Sequence, residues 1–312
     1  MKKLLLLIAA LVAVVAVDAK PKKADAELNL RVGTFNIWGH PARDWKLRKG
    51  AITETRGWDN SKKAVAQLIV DLDCDLLGMQ EVSDRCYADL SKLIKKSGGK
   101  KYGIWWQNIY PEDAKYATGC AILYNKKQFK LGQQKIYYLS PTPEVMSKGW
   151  DEKRQYRAAF TTVVTHKKSG KKFFFIGTHG PLKKVANAHA GRLLVEFDQE
   201  YNKGGLPAIA VGDMNARPGQ AFHKTMCTHY EDSFLVAEKK CGTIGTFNGS
   251  GESEKNFSIS NRRIDHIYVR STDKGAIAVK SYKVNRDKYK MPDGQKHYPS
   301  DHNPVVVDIT LK

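Results

Sequence analysis

Eight polar residues, Asn36, Glu81, His179, Asp213, Asn215, Asp265, Asp301 and His302, stand at the ends of short apolar runs. Together they offer the chemistry that a single phosphoryl-transfer site would use. The densest group is Gly212-Asp213-Met214-Asn215-Ala216-Arg217-Pro218, which follows Pro207-Ala208-Ile209-Ala210-Val211. That apolar segment is brief and bounded by turn residues, so it predicts a buried strand. Side chains alternate faces along an extended chain, which aims Asp213 and Asn215 into one cleft. A carboxylate and a carboxamide aimed together suit a phosphate or a hydrated metal ion. An Asx turn bonded to its own backbone is the competing reading. Glu81 closes the apolar run Leu76–Val82, where an ionised carboxylate is costly unless it is paired in a salt bridge or coordinates a metal. Asp265 interrupts Arg263-Ile264-Asp265-His266-Ile267-Tyr268-Val269 and needs a polar partner, whereas His266 reads as well as a satisfied core histidine.

The elements that must carry these residues alternate between strand and helix periodicity. Strands are predicted at 28–38, with Asn36 near the end, at 76–82, and at 102–110, 117–124 and 129–139 as a meander. Helices are predicted at 58–71, where Ala64, Val65, Leu68 and Ile69 fall at helical spacing, and at 84–96, stopped by Gly98-Gly99. The Pro- and Gly-punctuated loop 140–157 is long enough to suggest a function. Beyond it come strands at 158–165 and 173–178 around a Lys/Gly turn, with His179 immediately after. Helices at 185–202 and 222–228 flank the strand before Asp213. The segment 229–261 reads as loop with short strands, and strands at 263–269, 276–284 and 305–311 close the chain, the last after Ser300-Asp301-His302-Asn303-Pro304.

Met1-Lys2-Lys3 followed by the apolar run Leu4 to Val17 and by Val17-Asp18-Ala19 predicts a signal peptide over residues 1–19. Export to the periplasm or the medium is therefore expected. No Cys follows the run, which argues against a lipoprotein anchor. Residues 20–27 read as a tether and 28–312 as one domain, without linker or internal repeat. The 52 Lys and Arg against 32 Asp and Glu give a formal charge of +20, with lysine pairs scattered from Lys95-Lys96 to Lys239-Lys240. Such a field favours anionic substrates and could hold nucleic acid or acidic membranes without specificity; a solubilising surface is the alternative. Five cysteines include no CxxC pair, which argues against zinc. In an exported protein Cys227 and Cys241 could form a disulfide, and Cys74 reads as a small core residue.

The motifs Thr34-Phe35-Asn36-Ile37, Gln80-Glu81-Val82, Thr178-His179, Gly212-Asp213-Met214-Asn215, Arg263-Ile264-Asp265-His266-Ile267 and Ser300-Asp301-His302 occur in the order of the endonuclease/exonuclease/phosphatase superfamily, which the chain resembles over residues 28–312. The resemblance implies a deoxyribonuclease I-like α/β fold of four layers, two mixed β-sheets packed face to face with helices outside. It implies Glu81 as the principal Mg²⁺ or Mn²⁺ ligand, with Asn36 and Asp301 helping to hold the ion or its waters. His302 would be the general base or phosphate-polarising group, fixed by Asp265. Asp213 and Asn215 would position the attacking water and a phosphoryl oxygen, and His179 would stabilise developing charge. The loop motifs Leu139-Ser140-Pro141-Thr142-Pro143 and Lys148-Gly149-Trp150-Asp151 resemble the exported bacterial hydrolases of this superfamily, which makes Arg157 a candidate phosphate contact. Two departures stand out: Gly180-Pro181-Leu182 follows His179 where many members carry an acidic residue, and Gly119-Cys120 replaces a common Gly-Glu. The expected activity is that of an exported Mg²⁺-dependent phosphoesterase acting on nucleic acid, a phospholipid head group or a small ester. A non-specific secreted nuclease is the alternative, and a catalytically inactive polyanion-binding protein the rival from another class. No stable protein partner is implied, and a monomer is expected.

Overall fold

Apolar side chains point to both faces of the central strands, so each sheet must be covered twice. The computed structural model describes residues 27–40, 43, 56–114, 117–242, 244–249 and 262–312. The expected signal peptide lies outside these residues, as does the tether apart from Glu27. One sheet runs in the order β11 (Lys239–Cys241), β13 (Ile277–Val284), β16 (Val305–Leu311), β1 (Leu28–Asn36), β2 (Leu76–Val82), β4 (Gly119–Asn125) and β3 (Tyr102–Trp106). The other runs β10 (Glu231–Asp232), β12 (Asp265–Arg270), β9 (Ala208–Asp213), β8 (Lys172–His179), β7 (Ala158–His166) and β5 (Phe129–Leu131), and β6 (Lys135–Tyr138) also pairs with β7. A short ribbon of β14 (Tyr289–Lys290) and β15 (Lys296–His297) stands apart.

Neighbouring residues on one strand serve different cores. Leu76, Ile122, Phe173, Phe175 and Val211 fill the space between the sheets. Leu77, Met79 and Leu123 face outward to meet Val65, Leu68 and Ile69 of α1 (Trp58–Asp71) and Leu90 and Ile94 of α2 (Asp84–Lys96). On the far side Phe174, Ile176, Ala208 and Ala210 meet Ala190, Leu194 and Phe197 of α3 (Lys184–Tyr201) and Phe222 of α4 (Ala221–Met226). The result is the expected four-layer α/β sandwich. The predicted strand 129–139 is instead two short strands that both pair with β7, with a bend at Gln133 between them. Strand 102–110 stops at Trp106, where Asn108 turns the chain by bonding the amide of Tyr110.

Cys227 and Cys241 do not pair: all five thiols are free. Cys227 follows α4 beside the second sheet, whereas Cys241 lies on the edge strand β11 of the first. A different device stabilises this region. Asp232 receives both amino groups of Arg263, at 3.1 and 2.8 Å, lies 2.9 Å from His223 Nε2, and caps α5 (Ser233–Val236) through the Phe234 amide. Burial alone would raise its carboxyl, but His223, His266 and Arg263 outweigh it and hold the group well below the usual carboxylate range. A carboxyl depressed in the folded state contributes stability above its unfolded pKa of about 4, and the contribution fades as pH falls. Asp232→Asn is expected to cost about 3–5 kcal/mol at pH 7, because it leaves the Arg263 charge buried without its counter-ion. Urea unfolding checks this, and the gap from wild type should narrow below about pH 4.

Candidate active site

Strand register brings three of the eight residues to one edge. β8 and β9 run parallel with His179 opposite Asp213, and β12 runs antiparallel to β9 with Asp265 opposite Asp213. The parallel approach leaves no room for a side chain at residue 212: a Cβ on Gly212 would lie 2.2 Å from the Thr178 carbonyl. Across the sandwich, Asn36 pairs with Gln80 on the parallel strands β1 and β2, so Glu81 emerges beside it. Ser300 Oγ donates to the Asn36 carbonyl at 2.7 Å and ties the Asp301-His302 turn to the same edge.

These groups line a cleft of about 400 Å³ whose walls include Glu81, Arg157, His179, Asp213, Asn215, Asp301 and His302. Its apolar rim is formed by Trp38, Leu182, Phe247 and Ile264. Of the four non-glycine residues with positive φ among the described residues, Trp38 (55°), Glu81 (58°) and Asn215 (49°) border this cleft. Such backbone costs about 1–3 kcal/mol per residue and persists only where surrounding contacts enforce it. Gly39 packs against this turn so closely that a Cβ there would lie 2.4 Å from the Glu81 carbonyl.

His302 is held between two carboxylates. Its Nδ1 lies 2.8 Å from Asp265 Oδ2 and its Nε2 lies 3.6 Å from Asp213 Oδ2. Burial alone would lower the imidazole, but Asp265 and Asp213 outweigh it and push its pKa well above the ordinary value, so the imidazolium is favoured. Asp265 in turn accepts the hydroxyl of Thr246 at 2.6 Å. Burial would raise the Asp213 carboxyl too, yet His302, His179 and the Asn215 amide hold it well below the usual range. Asp213 therefore stays ionised beside three donors.

His179 is held on both ring nitrogens. Its Nδ1 lies 3.0 Å from Arg157 Nη1, and because a guanidinium only donates, Nδ1 accepts. Its Nε2 lies 3.3 Å from Asp213 Oδ2 and 3.0 Å from Asn215 Nδ2. Arg157 is itself held by Gln155 at 2.7 Å. Asn215 donates to the Gly180 carbonyl at 3.0 Å, and Asn187 bridges the Pro181 and Met214 carbonyls, so the loops after β8 and β9 are one unit.

Asn36 sits between two carboxylates. Its amide nitrogen faces Asp213 at 3.0 Å and Glu81 at 3.3 Å, while its oxygen accepts the Trp38 amide at 3.0 Å. Carboxylate oxygens for a cation are offered by Glu81 and Asp301, both in the cleft wall. Burial, and after it the Glu81 charge, push the Asp301 carboxyl up to about 6 against the pull of His302. Two hard carboxylates that repel each other across a cleft are the donor set that Mg²⁺ or Mn²⁺ takes, so the residues fit such an ion. A second buried cluster, His223, Asp232 and His266, does not fit one: Arg263 fills both Asp232 oxygens and His266 Nε2 donates to the Ala216 carbonyl. Thr246 and Asn187 carried no warning in the sequence, since each works through a contact distant along the chain, and Gln155, two residues before Arg157, was missed although its contact is local.

Two mixed sheets that gather carboxylates, imidazoles and amides at a shared edge define a sandwich of the phosphoesterase type. A model of the Endonuclease/Exonuclease/phosphatase family matches residues 33–302, and the chain belongs to that family of phosphate-ester hydrolases. It is similar to an endonuclease/exonuclease/phosphatase family protein from Bacteroides thetaiotaomicron, with 25% identity and a TM-score of 0.76 over 91% of this chain and 96% of that one. A mannosyl-6-phosphatase of Bacteroides thetaiotaomicron VPI-5482 gives 26% identity and 0.76 over 90% and 99%. The human Nocturnin catalytic domain shares the fold at 18% identity and 0.64 over 94% and 100%. No curated protein matches by sequence.

Proposed function

We propose that the protein is an exported, Mg²⁺- or Mn²⁺-dependent phosphoesterase that hydrolyses a small soluble phosphate ester, a phosphorylated sugar foremost. The observation that carries the catalytic part is His302 wedged between Asp265 and Asp213 at the floor of a cleft that also holds Glu81 and Asp301. The likeness to a mannosyl-6-phosphatase supports the substrate class, and the leader-like first 19 residues support export. A cation held by Glu81 and Asp301 supplies charge neutralisation at the phosphoryl group.

The chain's own residues do the rest. Arg157 lines the cleft with a fixed donor for the phosphoryl oxygens, and His179, held by Arg157, positions Asp213. His302, charged by its two carboxylates, donates Nε2–H to an oxygen on which charge develops. Asp213, ionised and oriented by Asn36, His179 and the Asn215 amide, aligns the attacking water. Phosphoryl transfer asks for positioning more than covalent chemistry, and this arrangement is rigid by construction.

The test is hydrolysis of a panel of sugar phosphates, bis-p-nitrophenyl phosphate, plasmid DNA, RNA and sphingomyelin, with and without Mg²⁺ or Mn²⁺. Metal-dependent release of phosphate from the sugar esters is expected, and cleavage confined to nucleic acid or lipid would replace the substrate assignment. Activity unaffected by chelation would remove the metal. The pH dependence has a definite sign. A cation needs Asp301 ionised, so its affinity should fall as pH drops through about 6. Isothermal titration with Mn²⁺ at pH 5 and pH 7.5 reads this directly, and equal affinity at both would exclude Asp301 as a ligand.

A further inference from the structure

Five lysine pairs that are scattered in sequence, Lys95-Lys96, Lys100-Lys101, Lys126-Lys127, Lys167-Lys168 and Lys171-Lys172, come together in space. Segments 95–101, 126–130 and 167–172 contain eleven lysines and no acidic residue. They meet: the Lys126 amide donates to the Lys101 carbonyl at 3.0 Å, the Lys167 amide to the Gln128 carbonyl at 2.8 Å, and Lys167 Nζ to the Lys126 carbonyl at 2.6 Å. All of these lysines except Lys101 and Lys171 are exposed. Two nearby acids are committed already, Asp73 to Lys101 and Asp75 to the Arg31 amide and Asn125.

This pole lies at the end of the sandwich away from the cleft. On β4 the Val82–Gly119 pair is at the catalytic edge, and the strand then runs past Leu76–Tyr124 to Lys126. On β8 Thr178 is at that edge and Lys172 begins the strand, so Lys172 and His179 are about 20 Å apart. The basic field therefore does not form a track into the catalytic site.

We propose that the lysine pole is a second binding surface, which seats the protein on an anionic phospholipid bilayer and leaves the cleft facing solvent. The lysines sit on turn tips contributed by both sheets and by the end of α2, which makes a broad surface rather than a groove. A plane of anionic head groups can meet many of them at once, each worth about a fivefold gain in affinity. A single nucleic-acid strand would ask for stacking aromatics, and the large apolar side chains exposed among the described residues, Trp150 and Leu182 among them, all lie on other segments. The same absence means that attachment is electrostatic, without insertion.

Co-sedimentation with vesicles tests this independently of hydrolysis. The protein is expected to bind phosphatidylcholine vesicles containing phosphatidylglycerol, to ignore phosphatidylcholine alone, and to weaken at least about tenfold between roughly 50 and 200 mM salt. Joint substitution Lys96→Glu, Lys127→Glu, Lys168→Glu and Lys172→Glu should weaken binding at least about a hundredfold. The matching Lys→Gln set should fall between, with hydrolysis of a soluble ester unchanged in both. Equal binding to both kinds of vesicle, wild-type binding by the Glu set, or tighter binding to duplex DNA than to anionic vesicles at the same salt would each overturn the proposal.

Discussion

His302→Ala is expected to lower turnover of the preferred phosphate ester by at least about three orders of magnitude, with cooperative unfolding retained. The size follows from what the imidazole does. It combines a positive charge with a donor at the catalytic edge, and its charge depends on Asp265 at 2.8 Å and Asp213 at 3.6 Å. Alanine removes the charge and also leaves two buried carboxylates, Asp213 and Asp265, facing each other without the cation between them. The pH profile gives a second readout. Wild-type activity should rise as Asp301 ionises through about 6 and fall at alkaline pH as His302 loses its proton. The residual activity of the variant should keep the first limb and lack the second. Asp265→Asn should cause a smaller loss, since the ring and its Nε2 remain. Turnover within threefold of wild type for His302→Ala would mean that the acid is elsewhere.

Glu81→Gln should be as damaging to turnover, for a different reason. The substitution keeps shape, so the strained backbone at this residue (φ 58°) and the Asn36 amide 3.3 Å away can stay in place. What is lost is one of two hard anionic oxygens, and Mn²⁺ affinity should fall by at least about tenfold. Loss of a neighbouring negative charge also removes one of the causes that raise Asp301, so its carboxyl should titrate lower than in wild type. Calorimetry with Mn²⁺, paired with turnover on the same sample, separates a binding defect from a chemical one. A variant that binds Mn²⁺ and turns over as wild type does would remove Glu81 from the site.

Periodicity made the scaffold legible. Helices 58–71 and 84–96 and strands 76–82 and 305–311 fall where the apolar spacing puts them, because these elements are long or buried on both faces and the pattern is unambiguous. The convergence of the eight residues was legible for a related reason, since each sits at a strand end and strands of one sheet end together. Partnerships across the chain were not. Nothing in local sequence tells that Thr246 reaches Asp265, or that Arg157 takes the Nδ1 of His179. The orientation of Asn36 was hidden for the same reason, as its oxygen is claimed by the Trp38 amide. Charge was misleading in the opposite way: five lysine pairs that look dispersed along the chain, between Lys95 and Lys172, collect at one pole, because the turns that carry them lie at the same end of the strands.

The position of β16 has a consequence for biogenesis. The last strand of the chain is interior to its sheet, bonded to β1 on one side through seven residue pairs and to β13 on the other. Until residues 305–311 are available, the first sheet is split into two halves with raw edges, and Asp301 and His302 have no fixed place. One edge of the N-terminal strand is met by β2, but its other edge takes a partner nearly three hundred residues later, a pairing of the most distant kind, which is intrinsically slow to form. A chain that lacks residues 305–311 therefore leaves the edge that carries Asp301 and His302 incomplete.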